Sequence, residues 1–270
     1  MRPLFQVTAK TLLIDFSNLV FRTALVKSVE GDVSSFSHVK RFYSTLVSIQ
    51  KKFPGCRLIF VFDSRTGKAK RRELFSAYNA NRKSYNDRKT ELGFNPIVDD
   101  AKLIKNLDCE ICVPIDAEAD DAIAALCAKL PGIKYVISND KDLWTLMSSS
   151  VILYGKEVVT IQDVLKAFRI VNPKAIPLVK SLCGDPSDNI PSVGIRWQYV
   201  KDVIKECVTL DDLFSRIDRI EHQKTSIHLL SKKEYLETIY KVVTLDTDCK
   251  YVIKKFIGNK ENLDKLLHSL

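Results

Sequence analysis

The chain contains no run of about 18 apolar residues, so no membrane-spanning helix is expected. Its first residues, Met-Arg-Pro-Leu-Phe-Gln, lack the apolar core of a secretory signal. Histidine is scarce. Four occur in 270 residues and none lies beside a motif, which leaves no Ser-His-Asp arrangement to consider. Cys109-Glu-Ile-Cys112 has the spacing of a zinc or redox motif, but no second ligand pair accompanies it. In a strand those two positions also face opposite sides. The seven cysteines are odd in number and scattered, which argues for a reduced, cytoplasmic protein over a disulfide framework. No low-complexity stretch or internal repeat stands out.

What is present is a hydrophobic fraction of 46% with 28% charged residues, enough for a soluble chain with a sizeable core in one large domain or two small ones. The net charge is +9. Against that basic background, Glu118-Ala-Asp120-Asp121 and Ser138-Asn139-Asp140-Lys141-Asp142 place five carboxylates inside 25 residues. Crowded carboxylates raise one another's pKa, and a hard cation with oxygen ligands relieves the repulsion. These acids are therefore read as part of a two-metal site. Dipole complementation at a helix start behind an Asp116 cap would account for one or two of them, hardly three. Glu118 and Asp121 share a helix face, whereas Asp120 lies about 100° round from Asp121, so one narrow site does not obviously use all three.

Along the chain, Thr11-Leu-Leu-Ile-Asp15 reads as a buried parallel strand ending in an acid. Phe36, Val39, Phe42, Leu46, Ile49 and Phe53 predict an amphipathic helix over 36–53. Arg57 to Asp63 is a second apolar strand ending in Asp. A phosphatase of the haloacid dehalogenase type would need a second acid at position 17, where Ser17 stands. The stretch 65–89 holds nine basic residues (Arg65, Lys68, Lys70, Arg71, Arg72, Arg82, Lys83, Arg88, Lys89) against Glu73 and Asp87, with Phe75, Tyr78 and Tyr85 interleaved. Cations grip phosphates and aromatic faces stack on bases, so this reads as a nucleic-acid clamp rather than a solvated helix face. Residues 97–108 predict a helix, 109–114 and 133–138 strands, and Leu143–Met147 a helix. Val151–Tyr154 and Val158–Ile161 read as short strands. A helix follows at 174–183, then Gly184-Asp185-Pro-Ser-Asp188-Asn189, with Pro186 in a first helical turn capped by Asp185. A turn at 190–195 leads to a helix from about Trp197 to Cys207. Residues 207–270 are polar and helical. Strands alternating with helices give an α/β fold with a mostly parallel central sheet flanked by helices.

Six segments together resemble the 5′-nuclease or flap endonuclease superfamily, over nearly the whole chain. They are Leu12-Leu-Ile-Asp15-Phe-Ser with Thr23-Ala-Leu-Val; Phe62-Asp63; Arg71-Arg72, Tyr78 and Asn81-Arg82; Glu118-Ala-Asp-Asp121; Ile137-Ser-Asn-Asp140-Lys-Asp142; and Gly184-Asp185-Pro-Ser-Asp188-Asn189. Within that family the chain is most similar to the phage ribonuclease H branch that removes lagging-strand primers. The resemblance implies a PIN-like nuclease core over 1–180 with a helical arch at about 65–95. A helix–three-turn–helix and a helical region follow over 181–270. It implies two Mg²⁺ ions, with Mn²⁺ as a substitute. Asp15, Asp63, Glu118, Asp120, Asp121 and Asp140 would serve the first, and Asp142, Asp185 and Asp188 the second, with Asp140 between. Arg71, Arg72, Arg82 and Lys83 would act at the scissile phosphate. Lys68, Lys70, Tyr78, Ser192, Val193, Gly194 and Arg196 would contact nucleic acid. The implied activity is 5′→3′ exonuclease and flap cleavage of DNA and of RNA in hybrids. The substrates would be flaps, nicks and ends, and a single-strand binding protein or clamp would be a replication partner. A monomer in the cytoplasm is expected, the host's if the chain is phage-encoded. Two departures stand out. Asn79 replaces the Lys common in the arch, and the Gly-Val-x-Gly-Ile-Gly turn is reduced to Ser192-Val-Gly194-Ile-Arg196, which weakens the case for the family's K⁺ there. The alternatives weighed are a non-catalytic branched-DNA binding protein and a PIN-type ribonuclease acting on RNA alone.

Overall fold

The structure is a computed structural model that describes residues 9–24, 35–81, 87, 104 and 107–258. Six strands form one sheet: β1 (Lys10–Asp15), β2 (Arg57–Val61), β3 (Cys109–Pro114), β4 (Ile133–Ile137), β5 (Val151–Tyr154) and β6 (Tyr251–Phe256), in the order β5-β4-β1-β2-β3-β6. The first five run parallel, and β6 adds antiparallel to β3. Alternation along β1 sends Leu12 and Ile14 to one face and Leu13 to the other. On the first face they meet α1 (Phe16–Ala24) and α2 (Ser35–Lys52), where Phe16, Phe42, Leu46 and Phe60 pack. On the second they meet Ile123 and Leu126 of α4 (Ala119–Lys129), which follows the short α3 (Ala69–Leu74). Cys109 and Cys112 go to opposite faces, and all seven cysteines are free thiols.

Among the described residues the α-helices that follow are α5 (Ile161–Phe168), α6 (Ile176–Cys183), α7 (Lys201–Ile204), α8 (Leu210–Ser215), α9 (Gln223–Ser231) and α10 (Lys233–Val243). They bury a separate core that includes Val164, Leu178, Leu182, Val200, Leu213, Leu229 and Leu236. This core begins at Val164, on the N-terminal side of position 180. No helix among the described residues is long and apolar enough to cross a membrane.

Several expected elements differ. Residues 251–256 form a strand where only helix was expected. Val158 makes an isolated bridge to Tyr154, and Ile161 opens α5 behind a Thr160 cap, so no strand spans 158–161. Residues 142–146 and 197–199 are 3₁₀ turns, and the helix expected from Trp197 to Cys207 is reduced to α7. Glu118, not Asp116, caps α4; Asp116 has a positive φ of 51° and accepts from the Thr66 hydroxyl at 2.6 Å. Of the helix expected over 97–108, only Ile104, Leu107 and Asp108 are among the described residues; Ile104 and Leu107 are buried and Asp108 is exposed.

Candidate metal centre

Register brings the acids together. Asp15 pairs with Val61 and Ile14 with Ile137, so β1, β2 and β4 end side by side. Asp15, Asp63 and Asp140 therefore leave the sheet at one carboxyl edge, where ligands gather in open α/β folds. Asp15 is 7% exposed. It accepts from the Asn18 amide at 3.0 Å and the Ser138 hydroxyl at 2.9 Å. Asp63 accepts from the Ser17 hydroxyl and the Ala119 amide, both at 3.0 Å. Asp140 accepts from the Asp142 amide at 3.0 Å. Asp120, in the first turn of α4, faces this group. Burial pushes its carboxyl well above the usual range, and Asp140, Asp15, Asp142 and Asp63 push it further. Burial, followed by the charges of Asp63 and Asp140, raises Asp15 to about 7, against the opposing Asn18 and Ser138 bonds.

The second cluster lines a cleft of about 710 Å³ that Asp140 of the first group also reaches, with Asn18, Asp142, Asp185, Asp188 and Trp197 among its walls. Carboxylate oxygens of Asp142, Asp185 and Asp188 all lie within 4.8 Å of one another. Asp185 caps the 3₁₀ turn Pro186–Asp188, accepting from the Ser187 amide at 2.9 Å and its hydroxyl at 2.5 Å. Gly184 permits this loop: its φ is 79°, and a Cβ there would lie 2.5 Å from the Ser192 nitrogen. Lys180 of α6, 8% exposed, bonds Asp142 and lies 2.5 Å from Asp185. Burial alone would raise Asp185, but Lys180 and Ser187 hold it below the usual range. Asp142 is raised to about 7 by burial and then by Asp140, against the pull of Lys180.

Two residues expected at this centre have other partners. The Asp121 carboxylate accepts from Arg71 Nη1 and Nη2 at 2.7 Å each, from the Glu118 amide at 3.1 Å and from the Asp246 amide at 2.9 Å. Its four acceptor positions are taken, and it does not join the cluster around Asp120. Arg71 also donates to Glu118 at 2.7 Å and, through Nε, to the Val242 carbonyl at 2.8 Å. With its side chain 11% exposed, this guanidinium ties α3 to α4 and α10 instead of presenting a free face to a phosphate. Glu118 sits between the two sets. It accepts from Arg71 and from the Tyr78 hydroxyl at 3.0 Å, and it also feels the charge of Asp63. Tyr78 is buried, so its ring offers no stacking surface for a base.

Arg72 and Lys70 are exposed and Lys68 half-buried. Arg72 Nε reaches the Tyr78 carbonyl at 3.3 Å. Arg82 and Lys83 lie outside the described residues. Asn79 is buried with a φ of 53°, and its amide donates to the Asp188 carbonyl at 2.9 Å. Its side-chain amide finds no hydrogen-bond partner among the described residues. Ser192, Gly194 and Arg196 are exposed and Val193 is buried. Lys180, Ser138 and Asn18 were not singled out from sequence. A lysine inside the apolar run Ile176-Pro-Leu-Val-Lys-Ser-Leu was a signal for Lys180, since a buried lysine needs a partner.

The donor set is carboxylate throughout, it carries more negative charge than Lys180 can offset, and three of its members lie within one ion's reach. That suits a hard divalent cation such as Mg²⁺ or Mn²⁺. Residues 10–170 match the 5′-3′ exonuclease N-terminal resolvase-like domain, and 171–262 match the 5′-3′ exonuclease C-terminal SAM fold. A 5′-3′ exonuclease of Buchnera aphidicola subsp. Baizongia pistaciae is 30% identical over 265 residues, covering 91% of this chain and 84% of its own. Among solved structures, the zinc-bound T5 5′-exonuclease aligns with a TM-score of 0.71 at 23% identity, over 88% of this chain and 90% of its own. The bacteriophage T5 flap endonuclease in complex with DNA and metal ions aligns with a TM-score of 0.67 at 21% identity, over the same shares. The chain belongs to the 5′-3′ exonuclease family.

Proposed function

We propose that the chain is a structure-specific 5′ nuclease. It hydrolyses phosphodiesters at 5′ flaps, nicks and ends of DNA and in RNA–DNA hybrids, with two Mg²⁺ ions that Mn²⁺ can replace. The observation that carries this reading is the meeting of Asp15, Asp63, Asp120, Asp140, Asp142, Asp185 and Asp188, from positions far apart in sequence, at one sheet edge. Asp15, Asp63, Asp120 and Asp140, with Glu118 at the margin, would hold one ion, and Asp142, Asp185 and Asp188 the other. Ions held there supply a water of lowered pKa and charge stabilisation for the leaving 3′ oxygen. The carboxylates act as ligands and not as nucleophiles. Ser17, Asn18, Ser138 and Ser187 fix carboxylate orientation, as outer-shell donors do.

Arg72, with Arg82 and Lys83, would offset charge on the phosphoryl oxygens. Lys68 and Lys70 would grip the strand beside the cleft. Arg71 and Asp121 instead brace that segment against the core. The turn Ser192–Arg196 would meet the duplex backbone through its exposed residues Ser192, Gly194 and Arg196. In this division residues 1–180 supply most of the acids, and 181–270 supply Asp185 and Asp188 together with the duplex contact. A T5 relative solved with DNA and metal ions is a flap endonuclease, which supports flap substrates here. The chain would act as a monomer in the cytoplasm beside a single-strand binding protein or clamp.

The test is cleavage of labelled flap, nicked and RNA–DNA hybrid substrates in parallel, with Mg²⁺ and with EDTA. Shortening from the 5′ end that EDTA abolishes is expected. Binding of branched DNA without any cleavage would overturn the reading.

A further inference from the structure

The turn at 192–194 is held from within by groups of this chain. Ser192 Oγ donates to the Leu182 carbonyl at 3.2 Å and accepts from the Gly194 amide at 3.1 Å. The Val193 amide donates to the same Leu182 carbonyl at 3.1 Å. The Val193 carbonyl meets Nε2 of His228 at 2.7 Å. A carbonyl oxygen can only accept, so the imidazole nitrogen facing it carries the proton and donates. His228 lies in α9, and the same helix is tied to the segment after the turn at its other end. The His222 ring stacks on Tyr199 with centroids 3.8 Å apart and planes 7° apart, and His222 Nδ1 meets the Thr225 hydroxyl at 2.8 Å. Behind them, Val193 and Leu229 pack in the same apolar core. α6, through the Leu182 carbonyl, and α9, through His228, therefore both hold the turn.

We propose that His228 is a positioning residue for duplex binding. Its imidazole N–H fixes the Val193 carbonyl and sets the Ser192–Arg196 turn in its binding shape, so the turn needs no bound monovalent cation. This rests on the reading of that turn as the duplex contact. The Val193 carbonyl already has a donor at hydrogen-bond distance. The Gly184 backbone, which precedes the ligand Asp185, touches the same turn, so its placement also sets the distance from duplex to acids.

The experiment measures affinity for a nicked duplex in EDTA, where no cleavage occurs, and steady-state kinetics in Mg²⁺. The wild type, H228L, H228Q and R196A are compared. One hydrogen bond's worth of pre-organisation predicts about three- to tenfold weaker binding by H228L. Its KM should rise by a similar factor with kcat little changed. H228Q, whose amide can reach the same carbonyl, should bind within about twofold of wild type by the same bond count. Wild-type affinity should be equal in potassium and in tetramethylammonium chloride at one ionic strength. The inference is overturned if H228L binds as tightly as wild type, if H228Q is as weak as H228L, or if wild type loses affinity when potassium is withdrawn. R196A separates the two levels. If R196A weakens binding and H228L does not, the tether is wrong and the duplex role of the turn stands. If neither weakens it, the duplex role itself is wrong and the tether falls with it.

Discussion

Two kinds of acid stand in this molecule. Glu118 and Asp121 close on Arg71, and Asp142 and Asp185 close on Lys180, so each pair carries a cation of the chain within bonding distance. Asp15, Asp63 and Asp140 are oriented by neutral donors instead: the amides of Asn18, Ala119 and Asp142 and the hydroxyls of Ser138 and Ser17. Asp120 stands among them with its pKa driven far up. The first kind stabilises the fold as it stands. The second leaves surplus negative charge at one edge of the sheet, held in geometry but not neutralised. A divalent ion has most to gain there.

Removing an internal cation should have the largest effect. Arg71→Ala leaves Asp121 and Glu118 buried and unpaired, at a cost of about 3–5 kcal/mol. Chemical denaturation should show it as a large fall in midpoint. Arg72→Ala, one position on and exposed, should leave that midpoint within about 0.5 kcal/mol while slowing cleavage. Equal destabilisation by the two variants would erase the distinction between a brace and a phosphate contact.

Taking an acid from the un-neutralised edge should do the reverse. Asp140→Asn is close to isosteric and should fold normally. Its cleavage should fall by more than the roughly 10–100-fold that loss of an outer-shell partner costs a metal site. Duplex binding should remain measurable. Normal turnover would contradict the assignment.

Acidity offers a third lever. Asp15 and Asp142 are each raised from 3.8 to about 7. In the folded chain they keep protons that the unfolded chain has already released. Their contribution to stability is thus present below about pH 4 and is lost as pH rises through about 7. Thermal melts in EDTA should fall across that window, and saturating Mg²⁺ should reverse the trend, because ions bind the deprotonated acids. Melts that are flat with pH in EDTA would count against the crowding.

The smallest effect on ion binding concerns Lys180. Its ammonium competes with any ion for Asp142 and Asp185, so Lys180→Met should tighten Mn²⁺ binding at that half severalfold while lowering stability in EDTA. Weaker Mn²⁺ binding in this variant would mean that Lys180 assists the ion instead of competing with it.

The sheet was legible because β1, β2 and β4 are apolar runs that end in acids or lead into them, and buried parallel strands look like that. β6 was not, because Tyr251–Phe256 is half-exposed, carries Lys254 and Lys255, and pairs with a strand about 140 residues earlier. Helical phase already separated Asp120 from Asp121. It could not say which faced the other acids, because the Asp121 partners are Arg71 and the amide of Asp246, contacts 50 and 125 residues away. Arg71 itself reads in sequence as one more cation in a basic run. Only the fold shows that it is enclosed and that Arg72 is not. His228 gave no local sign, since its partner carbonyl lies 35 residues upstream.

The central claim is that the uncompensated acids at the sheet edge take up divalent ions. Titration calorimetry of Mn²⁺ into the wild-type chain and into Asp140→Asn, in buffers of different ionisation enthalpy, measures this directly. The wild type should show saturable binding with proton release, and the variant loss or marked weakening of that binding. No binding by the wild type, or the same isotherm for both proteins, would contradict the claim.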